Sequence, residues 1–156
     1  HLVEILQRAA AHKGCAFIQV YQNCPGYNDG AFEQFTEKDV RDDQNVEVSH
    51  GKPLLFGKNR EKGIRVAGHK AEIVTLGGSV TEKDMLVYDS TDVPMAHLLA
   101  HLQPPDYPMP IGVFREVQQP SYESLIHKQI ADVTAKRGPG SISKLLNSGE
   151  TWEVKG

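Results

Sequence analysis

Apolar residues fall into several distinct patterns along this chain. Near the start, Leu2, Ile5, Leu6, Ala9 and Ala10 recur at helical spacing. That predicts a helix with one apolar stripe turned toward a core. Lys13 and Gly14 supply the expected ending, a cation in the last turn and then a glycine. Residues 15–21 follow at once and are apolar almost throughout. Because they do not alternate, they predict a strand buried on both faces, as in a parallel sheet covered by helices. Helix, short loop and buried strand together predict the end of a doubly wound α/β domain over residues 1–30. In such sheets ligands sit beyond the carboxyl ends of the strands, which is where Asn23-Cys24-Pro25 falls.

Beyond the Asp29-Gly30 turn the pattern shortens. Ala31, Phe32 and Phe35 predict a short amphipathic helix within 31–40, and the charged run 38–45, with Asp42-Asp43, predicts a solvated surface. Apolar pieces at 46–48, 53–57, 63–66 and 71–76, separated by glycines and charges, predict a small β-meander, and 85–89 predicts another strand. Asp92 is placed to cap a helix with Pro94 near its start and Met95, Leu98, Leu99 and Leu102 on its apolar face. The four prolines within 103–110 predict an extended crossing segment, and 111–117 a last strand. Pro120-Ser121 opens a helix carrying Tyr122, Leu125, Ile126, Ile130 and Val133, which stops at Gly138-Pro139-Gly140; residues 142–146 add one further turn. Thr151-Trp152-Glu153-Val154 reads as a docked apolar plug. Residues 31–156 are thus expected to be a mixed β-meander and helical extension, wrapping something else.

Composition narrows the classes. With 156 residues, 39% hydrophobic, 24% charged and a net charge of −3, the chain has an ordinary globular profile. No basic run suggests nucleic acid, and no apolar run approaches the roughly 20 residues that span a bilayer. There is no signal-peptide pattern, and two cysteines nine residues apart do not form a secreted disulfide framework. A cytoplasmic setting is the expectation. The first residues carry neither an initiator Met nor a Ser, Thr, Asp or Asn cap before the periodic apolar positions, so the chain is expected to begin inside a helix, as the C-terminal piece of something longer.

Candidate chemistry concentrates at Cys24. A thiol on a loop at a strand's end, after a polar Asn and before Pro-Gly, suits a metal ligand or a nucleophile, and equally a small packed side chain. Cys15 starts the apolar run and is expected to be packed. His97 and His101 lie four apart on one helix face but lack the adjacent glutamate and a third ligand of a zinc site. His50-Gly51-Lys52-Pro53 reads as a surface turn that could meet an anion. Gly77-Gly78-Ser79 and Gly138-Pro139-Gly140 do not match nucleotide-binding spacings, and no Gly-x-Ser-x-Gly elbow exists. No catalytic residue is assigned.

The run from Ala11 to Phe32, which contains Cys15-Ala16-Phe17-Ile18-Gln19-Val20-Tyr21-Gln22-Asn23-Cys24-Pro25-Gly26-Tyr27-Asn28-Asp29-Gly30, resembles the C-terminal half of the β subunit of 2-oxoacid:ferredoxin oxidoreductases. His50-Gly51-Lys52-Pro53-Leu54-Leu55-Phe56-Gly57, Pro110-Ile111-Gly112-Val113-Phe114-Arg115 and Gly149-Glu150-Thr151-Trp152 are similar to the longer, 2-oxoglutarate-type subunits. The resemblance implies a thiamine diphosphate enzyme with Mg²⁺ that decarboxylates a 2-oxoacid, forms an acyl-CoA and passes electrons through a [4Fe-4S] cluster to ferredoxin. It implies that Cys24 is the last cluster ligand, that three further cysteines and the Gly-Asp-Gly…Asn motif lie in an N-terminal half, and that Cys15 is no ligand. Asn28 is carried over as a cofactor-pocket residue, with Tyr27 beside it. The implied partners are the N-terminal part of the same subunit, an α subunit, ferredoxin, the 2-oxoacid and CoA, with this chain inactive alone. The competing expectation is a non-catalytic protein-interaction domain that uses the meander within 46–110.

Overall fold

The computed structural model describes residues 1–152, 154 and 156. The chain divides into two units, residues 1–12 with 16–117 and residues 13–15 with 118–156.

The first unit begins with α1 (Leu2–Ala11) and, after a long stretch without helix or strand, α2 (Glu33–Thr36) and α3 (Arg41–Gln44). Five strands follow: β1 (Asn45–Val48), β2 (Leu55–Phe56), β3 (Lys62–Ala67), β4 (Lys70–Thr75) and β5 (Met109–Gly112), with α4 (Val93–His101) between the last two. They form a mixed α/β architecture with two sheets. β1 and β5 pair in parallel, Val46 opposite Pro110 and Val48 opposite Gly112. β2, β3 and β4 form an antiparallel sheet, with β3 and β4 a hairpin closed around Gly68-His69. The meander expected from residues 46–76 is therefore present in its pieces. Its first strand, however, leaves the meander to pair with β5.

The core lies between these sheets and α4. Val46, Leu54, Ile64, Tyr88, Leu99 and Leu102 are buried almost completely, with Met95 and Leu98 packed alongside. Tyr88, buried, and Tyr107, partly buried against the core, both satisfy their polar tips, as tyrosines in such sites must. The Tyr88 hydroxyl donates to the Phe114 carbonyl, and that of Tyr107 to the Ala71 carbonyl at 2.7 Å. The α4 face is the one the apolar spacing predicts, and Asp92 caps the helix by accepting from the Met95 N–H at 3.2 Å. Asp92→Ala is expected to lower unfolding free energy by about 1 kcal/mol, the usual worth of such a cap, read as a lower urea midpoint at unchanged slope.

The charged run 38–45 is solvated as expected: it carries α3, which has no buried residue, and Lys62 donates to Asp43 at 2.8 Å, holding that carboxyl below its ordinary pKa. Two expectations in this unit need correction. Residues 85–89 make no regular strand. Leu54 N–H donates to the Leu86 carbonyl at 3.0 Å and Tyr88 N–H to that of Lys52 at 2.9 Å, and the pairing stays a single bridge between Pro53 and Val87. The last strand is Met109–Gly112, not 111–117, and it includes Pro110. A proline is tolerated there because β5 has a neighbour on one side alone, so its missing donor leaves no ladder bond unmade.

The second unit contains α5 (Tyr122–Arg137) and α6 (Ile142–Leu146). Ser121 caps α5 by accepting from the Ser124 N–H at 3.3 Å, and the helix stops at Gly138, whose φ of 77° suits glycine. Both helices fall where the sequence places them. Neither has a buried residue. Trp152 and Val154 are exposed, so they form no docked plug, and Glu153 lies outside the described residues. The physical reason is size, since about 40 residues seldom bury enough surface to make a core.

Candidate functional site

The thiol of Cys24 sits on a turn built by its own neighbours. The Cys24 carbonyl accepts from the N–H of Tyr27 at 3.1 Å and from that of Asn28 at 2.9 Å, so Pro25 and Gly26 form the bend. The Asn23 side chain closes the neck of the loop. Its Nδ2 donates to Asp29 Oδ1 at 2.8 Å, and its Oδ1 accepts from the Gly30 N–H at 3.0 Å. Below the neck the Tyr21 and Phe32 rings meet with centroids 5.0 Å apart, and partial burial pushes the Tyr21 phenol up from its ordinary pKa. Cys24 is an exposed free thiol at the top of this arrangement. Asn28, expected in a cofactor pocket, contributes its backbone N–H to the turn.

Three expectations about the surroundings are corrected. Residues 15–21 form no buried strand: they join neither sheet, and Phe17 is 90% exposed. A strand buried on both faces needs neighbours on both edges and cover on both sides, and this chain commits its sheets to residues 45–75 and 109–112. For the same reason α1, though amphipathic as predicted, has no buried residue, and Leu2, Val3 and Leu6 stand exposed. Cys15, expected to be packed, is an exposed free thiol.

The other candidates resolve into local structure. His101 Nδ1 lies 2.7 Å from the carbonyl of His97 on its own helix, so one ring nitrogen is already engaged. His50 Nδ1 lies 3.2 Å from the Ser90 N–H and 3.4 Å from Asp89 Oδ1. Since one nitrogen meets both partners, the arrangement is a loop tie and not a Ser-His-Asp relay, which uses the two ring nitrogens separately. The Ser90 carbonyl accepts from the Glu116 N–H at 3.1 Å, and Glu116 pairs with Arg8 of α1. Sequence reasoning missed this junction because its members are remote in the chain. It also missed the Asn23 clasp, whose one trace was an Asn six residues before an Asp-Gly turn. Among the described residues no group of three or more His, Cys, Asp or Glu side chains could hold a metal ion, and no helix is long and apolar enough to cross a membrane.

A free thiol held outward on a closed turn suits one corner of a metal or cluster site whose other ligands come from elsewhere. Comparison with known proteins gives that geometry a context. The chain is similar to β subunits of 2-oxoacid oxidoreductases. One relative is the 2-oxoglutarate oxidoreductase subunit KorB of Mycobacterium tuberculosis, 31% identical over 159 aligned positions that cover 98% of this chain and 42% of that protein. Another is the 2-oxoacid:ferredoxin oxidoreductase subunit beta of Saccharolobus solfataricus, 48% identical over 40 residues, 26% of this chain and 13% of that protein. The chain therefore spans less than half the length of these curated relatives. No protein-family model matches it. No solved structure matches it either.

Proposed function

We propose that this chain is the cluster-closing part of a 2-oxoacid:ferredoxin oxidoreductase β subunit whose substrate is 2-oxoglutarate. The observation that carries the reading is the free, outward Cys24 thiol on its closed turn, in a chain similar along 98% of its length to a 2-oxoglutarate oxidoreductase subunit. In the whole enzyme, thiamine diphosphate with Mg²⁺ supplies carbanion stabilisation for decarboxylation to the acyl-CoA, and a [4Fe-4S] cluster supplies the electron route to ferredoxin. A [4Fe-4S] cluster takes four thiolates, and the donor chemistry of Cys24 fits one of them. The remaining three ligands and the diphosphate-binding motif are assigned to the N-terminal part of the same subunit.

In this reading residues 1–30 complete the thiamine-diphosphate-binding domain. The exposed apolar face of α1 and the run 15–21 then gain their cover from that domain, and the backbone of 15–21 gains strand partners. Residues 31–156 are the extension that covers the cluster or meets the α subunit. Asn28 and Tyr27 border the same pocket. Alone, the chain has one cluster ligand and no catalytic group, so it is assigned no activity without the rest of the subunit and the α subunit. The setting is cytoplasmic, where thiols stay reduced.

The test is anaerobic purification of the full-length subunit with its α subunit. Iron, acid-labile sulfide and thiamine diphosphate are expected to co-purify, with ferredoxin reduction requiring both CoA and 2-oxoglutarate, and pyruvate giving at most a small fraction of that rate. A complex without iron and sulfide would refute the proposal; a pyruvate rate equal to that of 2-oxoglutarate would refute its substrate assignment alone.

A further inference from the structure

We infer that Asn23 is the positioning residue for the Cys24 thiol, acting as a clasp across the neck of the loop 23–30. This deepens the assignment of Cys24 as an iron ligand and rests on it. Below the neck the Tyr21–Phe32 ring contact, centroids 5.0 Å apart, also joins the two flanks. Tyr27 at its tip is 97% exposed, so burial does not fix its shape. The two bonds into the Cys24 carbonyl curl the turn from within but leave its two ends free to part. Asn23 joins those ends with one amide, donating to Asp29 Oδ1 at 2.8 Å and accepting from the Gly30 N–H at 3.0 Å. The first bond ends on a carboxylate and gains from its charge. Donor and acceptor on one short stem are what a primary amide offers. Because Asn23 adjoins Cys24 directly, opening the neck releases the backbone that aims the thiol, and a ligand left loosely oriented loses metal affinity.

The clasp has a built-in rescue. Asn23→Asp sets one carboxylate against that of Asp29 and removes the donor. Adding Asp29→Asn restores one amide and one carboxylate with their roles exchanged: the new amide at position 29 donates, and the new carboxylate at position 23 accepts from it and from the Gly30 N–H.

Hydrogen exchange of the Gly30 amide in the 156-residue chain reads the clasp without any cluster. Asn23→Asp is expected to speed that exchange by about tenfold or more, the scale of one charge-assisted hydrogen bond, and Asn23→Asp/Asp29→Asn to return it close to the starting value. In the full-length subunit within its complex, Asn23→Asp is expected to reduce iron per subunit and to shift or broaden the electron paramagnetic resonance of the reduced cluster, the double exchange restoring both. The unfolding midpoint of the chain should stay put, because the loop packs into no core. Unchanged Gly30 exchange in Asn23→Asp would overturn the clasp. Faster exchange with unchanged iron content and resonance would overturn its role in positioning the ligand. The Cys24→Ser complex separates failure of the underlying assignment: a cluster surviving that substitution removes the ligand, and with it the positioning role, whatever the Gly30 amide does.

Discussion

On the proposed assignment, Cys24→Ser in the full-length complex is expected to remove the visible absorbance of the proposed cluster and to lower ferredoxin-linked turnover by about 100-fold or more. Groups that merely orient a metal ligand cost about 10–100-fold in affinity or activity when removed, so loss of the ligand itself belongs at or beyond the upper end. The serine hydroxyl is a far weaker acid than a thiol and a harder donor than the sulfur such clusters take. Folding should be spared, because Cys24 is exposed and the turn is held through its backbone carbonyl and by Asn23. Cys15→Ser is the matched control: Cys15 is equally an exposed free thiol, and the proposed ligand set does not include it. Iron, sulfide and absorbance measured side by side in the two variants check the assignment. Loss in both, or in neither, would overturn it.

Gly112→Ala is expected to do the opposite, damaging the fold and leaving the ligand chemistry intact. Gly112 ends β5 with a φ of 123°, and a Cβ built on it would lie 2.4 Å from the carbonyl oxygen of Val48. Val48 is buried in β1, and that oxygen accepts from the Val113 N–H, so the obstruction is backbone that cannot step aside. Strain at such a φ costs of order 1–3 kcal/mol, and overpacking a buried contact a further 1–3 kcal/mol. A loss of about 3 kcal/mol or more is a large share of the 5–15 kcal/mol typical of a domain. It should lower the thermal midpoint by about 10 °C. Gly63 makes a useful contrast, because its added Cβ would meet Met85 Sδ at 2.3 Å. That thioether ends a flexible side chain and can swing away, so Gly63→Ala should cost less. Denaturant unfolding of both variants decides the matter, and equal midpoints for Gly112→Ala and the parent chain would mean that the β1–β5 register is wrong.

Much of the secondary structure was legible because its causes are local. The α4 stripe with Asp92 before it, Ser121 ahead of α5 and Gly138 behind it, and the Gly68-His69 hairpin each depend on residues within a turn or two. The errors have one cause in common. Residues 15–21 were expected to be a buried strand and Cys15 a packed thiol because apolar runs report a need for burial, but not what satisfies it. Pro110 was placed outside the strand because its missing donor disfavours a sheet, while whether a strand lies at an edge depends on neighbours from elsewhere in the chain.

Taken alone, the sequence determined α1, α2, α4, α5 and α6, the caps of α4 and α5, the meander's pieces and the turn on which Cys24 stands, since hydrophobic period and capping chemistry act over a few residues. Tertiary structure alone decided that β1 leaves the meander for a parallel partner some 60 residues on, that Ser90 accepts from the Glu116 N–H through its carbonyl while its own N–H meets His50, and that the amide of Asn23 closes the Cys24 loop. Those contacts are chosen by geometry among groups whose identities permit many partners, and pairing of that kind leaves no period in the chain to read.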